Sequence, residues 1–254
     1  MVSKNVELPE IFNEFAEARQ QGFLKMKKLK EEGKGVVGIF CTYTPVELFM
    51  AADLAYVGLC STNDETIPEA EKVLPRNLCP LIKASYGFAI TDKCPYMYFS
   101  DLIVGETTCD GKKKMYELLG DIKNVHVMEL PQSQTNPSSK ASWKNEIIRL
   151  KERLEKDFDV TITEERLRQA VKERNLERAK LKEFYELSTA CPPPITGQEQ
   201  LYILFGSQFQ FNHGDKIASI DQAIANIKNN IDETKQKELA KRKRILITGC
   251  PIGG

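Results

Sequence analysis

The chain is short of the residues that mark many active sites. It has two histidines, His126 and His213, and one tryptophan, Trp143, in 254 residues. Neither histidine has a companion at ligand spacing, so both read as structural. Excess charge is missing as well: 36 basic and 36 acidic side chains leave no net charge. That argues against a nucleic-acid surface built on bulk charge. No apolar run is long enough for a membrane span, because the apolar-rich stretch 35–60 is broken by Pro45, Glu47 and Asp53. The first residues, Met1 to Glu10, hold no apolar secretory core, and a cytoplasmic protein is expected. There is no Cys-x-x-Cys pair, so a zinc ribbon or a thioredoxin-like motif has no support. Nor is there a Walker A loop; any ATP used must be hydrolysed by another protein.

What the chain does have is cysteine. There are seven: Cys41, Cys60, Cys79, Cys94, Cys109, Cys191 and Cys250. An odd count, wide spacing and no secretory leader argue against a disulfide framework. Ligation of metal from scattered loops stays open, and iron–sulfur chemistry suits it best.

Two of these cysteines share a design. The apolar run Leu102-Ile-Val104 ends in a Gly-Glu-Thr-Thr turn. Cys109 and Asp110 follow, and a helix-like segment begins at Gly111. A thiol placed there faces unpaired N–H groups and the positive end of the helix dipole, a setting that favours thiolate. Cys79 precedes Pro80, which is tolerated at a first helical position, and an apolar run with helical spacing follows. Thiols in this setting, 30 residues apart, suit ligands that meet across a cleft. Simple packing, the common fate of free cysteine, is the competing reading of the residues alone.

The rest of the chain indicates an α/β fold. Residues 9–32 have helical spacing up to Gly33. Short apolar runs at 35–41, 54–59, 102–104 and 125–128 read as strands, separated by helical stretches near 45–52, 66–73, 80–91 and 111–119. Such a repeat indicates a Rossmann-like open sheet, mostly parallel, with added helices. Ligands bind beyond the carboxyl ends of strands in such sheets, and Cys41, Cys60 and Cys109 fall at or just after predicted strand ends. The expected organisation is a helical segment over 1–34, an α/β cluster-binding domain over 35–135 and a mainly helical segment over 136–243. Thr161 to Glu164 resembles a capping box, and the charged side chains of the helix after it read as a solvated face. A further charged helix is expected over 217–239. Residues 244–254, an apolar strand leading into Gly-Cys-Pro-Ile-Gly-Gly, look like the start of a second α/β domain, so the chain is expected to be the front part of a longer protein.

The segments Gly38 to Leu48, Leu74 to Tyr86 and Val104 to Lys114 resemble the 2-hydroxyacyl-CoA dehydratase/benzoyl-CoA reductase family. Their wording around Cys79 and Cys109 is most similar to its double-cubane cluster branch. The resemblance implies that Cys79 and Cys109 hold a 4Fe–4S cluster, with three cysteines per cubane and, in that branch, two cubanes joined by sulfide. Cys250 and Cys41 are the contenders for the remaining ligands, while Cys60, Cys94 and Cys191 read as structural. Glu47, in the Pro45-Val-Glu47-Leu48 element, is the candidate proton donor or orienting group beside the cleft; Glu106 has a weaker claim. Lys112, Lys113 and Lys114 could present charge to the cluster, although a solvated helix face is the plainer reading. The implied function is a double-cubane iron–sulfur reductase that takes low-potential electrons from an ATP-hydrolysing iron–sulfur activator and reduces small molecules. A dehydratase subunit with one 4Fe–4S cluster and a non-catalytic fragment are the alternatives. A homodimer is implied, with no nucleic-acid or membrane partner. One departure stands out: Asp53 occupies a position where the family commonly has glycine.

Overall fold

The structure, a computed structural model, describes residues 21, 22, 24–61 and 63–247. Helical residues 24–31 (α1) end at a turn over Glu32 and Gly33. There follow β1 (Val36–Ile39), α2 (Glu47–Ala51), β2 (Ala55–Gly58), α3 (Ile67–Ala70), α4 (Pro80–Ile90), α5 (Pro95–Phe99), β3 (Leu102–Glu106), α6 (Asp110–Gly120) and β4 (Val125–Met128). The later elements are all helical: α7 (Ser139–Phe158), α8 (Glu164–Glu186), α9 (Gly197–Gly206), α10 (His213–Asn229) and α11 (Glu233–Ala240), with short 3-10 turns at 187–189 and 207–209.

The four strands form one open sheet in the order β2-β1-β3-β4, and every pairing is parallel. Alternation sends side chains to two covered faces. On one face Val37, Leu102, Val104 and Met128 join Phe49 of α2 and Leu150 and Leu154 of α7 in a buried core, which extends to Ile162 and Ala170. On the other, Tyr116 of α6 lies against Phe40, with ring centroids 5.8 Å apart. Gly105 permits this closeness, because a Cβ there would sit 2.4 Å from the Tyr116 ring. The chain order reverses between β1 and β3, which creates the switch point where open α/β sheets receive ligands.

Contacts divide the described residues into a unit over 26–170 and another over 171–247 that also takes in residues 21, 22, 24 and 25, with a boundary inside α8. The sheet unit therefore takes in α7, which the sequence reading assigned to a separate helical segment from 136. Leu150 and Leu154 close one face of the sheet, so this helix is part of the α/β core. The second unit has its own apolar centre, built from Phe184, Ile195, Ile203, Ile220, Ala223 and Ile224.

Several local expectations shift by a few residues for identifiable reasons. The hydroxyl that caps α8 belongs to Thr163, which accepts from the Arg166 N–H, and not to Thr161. A reciprocal capping box occurs instead at Thr196 and Glu199, opening α9. The helix expected over 217–239 is two helices, because the Asp232 carboxylate caps a new start at α11. His213 is the first residue of α10. Asp53 has a left-handed φ of 57°, the conformation that favours glycine and that aspartate also tolerates. Its carboxylate accepts from Lys34 Nζ at 2.6 Å. Residues 245–247 are exposed and belong to no strand among the described residues, and the rest of the expected last strand lies outside them.

Candidate functional site

Cys79 and Cys109 stand at the N-caps of α4 and α6, as their sequence settings indicate. Both thiols are exposed, and neither caps its own helix. The Cys79 carbonyl accepts from the N–H groups of Ile82 and Lys83, and that of Cys109 from Lys113. The two helix starts abut: a Cβ on Gly111, two residues after Cys109, would sit 2.7 Å from Ile82 Cδ1 and 2.9 Å from Leu78 Cδ1. Leu78 and Ile82 flank Cys79, so the missing side chain at 111 is what lets the two helices meet here.

Cys41 and Cys60 follow the carboxyl ends of β1 and β2. They converge on Lys112, whose Nζ lies 2.6 Å from Cys41 Sγ and 3.8 Å from Cys60 Sγ. Lys112 is only 6% exposed, and its ammonium also stands over the Phe40 ring, 5.3 Å from the centroid. Burial works against this charge, but Cys60, Cys41 and Glu106 outweigh it and hold the lysine's pKa above its ordinary value. Cys41 has a φ of 63°, a left-handed conformation rare outside glycine and of the kind that gathers at functional sites. The Thr108 hydroxyl lies 3.5 Å from its sulfur.

Glu106 closes β3 and is fully buried. The Thr44 hydroxyl donates to its Oε1 at 2.6 Å, while Oε2 has no hydrogen-bond partner. Burial pushes its pKa up, with Thr44 and Lys112 opposing. The Tyr116 hydroxyl is likewise buried without a partner; burial, Cys41 and Glu106 all raise its pKa. Glu47 is half-buried in the first turn of α2. The buried carboxyl on this side of the sheet is therefore Glu106, the weaker of the two sequence candidates. Cys250 lies outside the described residues.

The sequence reading put Lys112 on a solvated face with Lys113 and Lys114. Only the latter two are exposed, each paired with a neighbouring acid, Asp110 and Glu117. The overlooked signal was helical period: Lys112 sits three to seven residues before Met115, Tyr116 and Leu119, the buried stripe of α6. Cys60, read as structural, belongs to the same cluster.

As a metal site, the donor set fits an iron–sulfur cluster in part. Cys79 and Cys109 supply two accessible soft ligands beside helix N-termini, suited to an anionic group. Among the described residues no three His, Cys, Asp or Glu side chains gather closely enough to hold one metal ion. Thiolates of a cubane bind different irons and need not converge on one point. A cluster with three protein ligands would need a further thiol besides these two.

Comparison with known proteins fits this layout. The family described as 2-hydroxyglutaryl-CoA dehydratase, D-component, matches residues 41–254. The chain belongs to that family. A relative in Escherichia coli (strain K12), named "Putative dehydratase subunit YjiM", is 52% identical over 98% of this chain and 64% of its own length. The (R)-phenyllactyl-CoA dehydratase beta subunit of Clostridium sporogenes is 25% identical over 88% of this chain and 58% of its own length. The (R)-2-hydroxyglutaryl-CoA dehydratase, subunit beta, of Acidaminococcus fermentans is 21% identical, over 85% and 58%. The chain thus spans between half and two thirds of the length of these relatives. No described helix is long and apolar enough to cross a membrane.

Proposed function

We propose that this chain is the thiol-bearing part of a 2-hydroxyacyl-CoA dehydratase-type subunit that binds a 4Fe–4S cluster through Cys79 and Cys109. The observation that carries the reading is the abutment of two helix N-termini, each with an exposed, uncapped thiol, across Gly111. When bound, such a cluster supplies one-electron chemistry and an iron open to a substrate oxygen. The residues of the chain contribute the rest. The first-turn N–H groups of α4 and α6 favour the anionic sulfurs. Glu106, buried and with its pKa raised by burial, can hold a proton at the carboxyl end of β3. Low-potential electrons would come from an ATP-hydrolysing activator, and a second subunit or a second copy of the chain would complete the enzyme.

The double-cubane reductase is the second reading, carried by the wording around Cys79 and Cys109. It requires more thiols than these two, and Cys41 and Cys60 are at hand beyond β1 and β2. The relatives are named as dehydratase subunits, which places the dehydratase reading first. Iron and acid-labile sulfide per chain, with low-temperature EPR on protein purified without oxygen, separate the two. The dehydratase reading expects about four irons and the reductase about eight, as the cubane stoichiometry requires. No iron after anaerobic reconstitution would sink both and leave a non-catalytic fragment.

A further inference from the structure

The group formed by Lys112, Cys41 and Cys60 has a geometry that binding one cluster at Cys79 and Cys109 does not use. An ammonium or amine 2.6 Å from one sulfur and 3.8 Å from a second is held at near-bonding approach in a largely buried pocket of the sheet edge. Lys112 cannot swing away freely: its stem packs in the buried stripe of α6 and its Nζ rests over Phe40. Cys41 is fixed by its left-handed backbone, and the Thr108 hydroxyl at 3.5 Å can hydrogen-bond to an oxygen placed on its sulfur.

We infer that Cys41 and Lys112 form a reversible covalent cross-link through a single oxygen atom, S–O–N, when the protein meets peroxide, with Cys60 placed as the resolving thiol. The chemistry balances in two steps. Peroxide first oxidises the Cys41 thiol to a sulfenic acid, forming an S–O bond and releasing one water. The Lys112 ammonium gives up one proton to solvent, and a second peroxide then oxidises the amine nitrogen by two electrons as the O–N bond forms; the sulfenic O–H and one N–H bond of the amine break, and two waters leave. Sulfur and nitrogen each lose two electrons, and each peroxide gains two. Attack by Cys60 on the Cys41 sulfur would break the S–O bond, form a Cys41–Cys60 disulfide and leave the lysine as a hydroxylamine. External thiols would then reduce the disulfide to thiols and the hydroxylamine to amine and water, being oxidised to disulfides themselves. A sulfenic acid with no neighbour moves on to irreversible sulfinic acid. The nearby amine diverts it into a form that reductant can reverse. The link would tie the loop after β1 to the first turn of α6, the helix whose N-cap is Cys109.

This inference does not depend on the cluster reading: iron content tests that one, and the mass of oxidised peptides tests this one. The experiment treats the full chain, purified without oxygen, with hydrogen peroxide and maps peptides under non-reducing conditions. The expected product joins the peptides of Cys41 and Lys112, resists trypsin after Lys112, and carries one added oxygen and two fewer hydrogens. That is a gain of about 14 Da, lost again on treatment with a thiol reductant. Lys112→Arg and Cys41→Ser abolish the product, whereas Cys60→Ser retains it but slows its reversal. A Cys41–Cys60 disulfide as the main product would overturn the inference, as would Cys41 recovered as sulfinic acid with Lys112 unmodified, or both recovered unchanged. Should a variant fail to fold, the wild-type peptide map decides alone.

Discussion

Each unit buries a charged cluster, and the two are built on opposite logic. In the unit over 171–247, Glu177 is fully buried against two cations, Arg174 at 2.5 Å and Lys216 at 2.6 Å, with the His213 ring at 3.3 Å. Burial alone would raise its pKa, but His213, Lys216 and Arg174 outweigh it and hold the carboxyl well below the usual range. In the sheet unit the signs are reversed. One buried cation, Lys112, faces two thiols and a carboxyl that burial pushes toward the neutral form. Polar atoms are left over there: Glu106 Oε2 and the Tyr116 hydroxyl have no partner. A compensated cluster fixes a fold, whereas one with spare capacity beside half-buried thiols is suited to chemistry.

The largest effect is expected from Glu177→Ala. It leaves Lys216 and Arg174 without their shared anion, and removing one partner of a buried ion pair costs about 3–5 kcal/mol. Urea denaturation of wild type and variant measures it. A loss under 1 kcal/mol, on the scale of exposed pairs, would erase the contrast between the clusters. The wild-type contribution also has a pH signature. A carboxyl with a depressed folded pKa stabilises fully above its unfolded value, near the ordinary 4.5, and the contribution drains away as pH falls below that point.

Lys112→Met should cost less, about 1–2 kcal/mol, because the sulfurs left behind are weak hydrogen-bond acceptors and the apolar stem is kept. A cost equal to that of Glu177→Ala would mean that the sheet cluster is a structural ion pair after all.

The smallest effect belongs to Glu106→Gln, and its sign differs. A carboxyl with a raised folded pKa lowers stability as pH climbs from its unfolded value, about 4.5, to its folded one. The amide keeps the bond from Thr44 and removes that loss, so the variant should gain on the order of 1 kcal/mol at neutral pH. Thermal melts from pH 4 to pH 8 should show a wild-type decline, from about the 4.5 reference upward, that the variant lacks. A parallel decline in both would place the titration on another group.

The sequence was legible where local chemistry decides structure. Apolar runs located all four strands, and Pro80 and Asp110 marked the helix starts that carry Cys79 and Cys109. Even the odd Asp53 made sense, since aspartate tolerates the left-handed turn. What could not be read was burial of charge set by tertiary contacts. Lys112 lies in a Lys-Lys-Lys run that looks solvated, and Glu177 lies in a helix dense with Arg, Lys and Glu. Both are buried because partners distant in sequence, Cys41 and Cys60 for the one and Lys216 and His213 for the other, meet them there. The pairing of Cys41 with Lys112 was invisible for the same reason.

The most direct test of which thiols carry the site is iron retention after anaerobic reconstitution, in single variants of Cys41, Cys79 and Cys109 to serine. The account predicts that Cys79→Ser and Cys109→Ser lose the cluster and its EPR signal, while Cys41→Ser keeps both. Loss of iron on replacing Cys41, with retention on replacing Cys79 or Cys109, would contradict it.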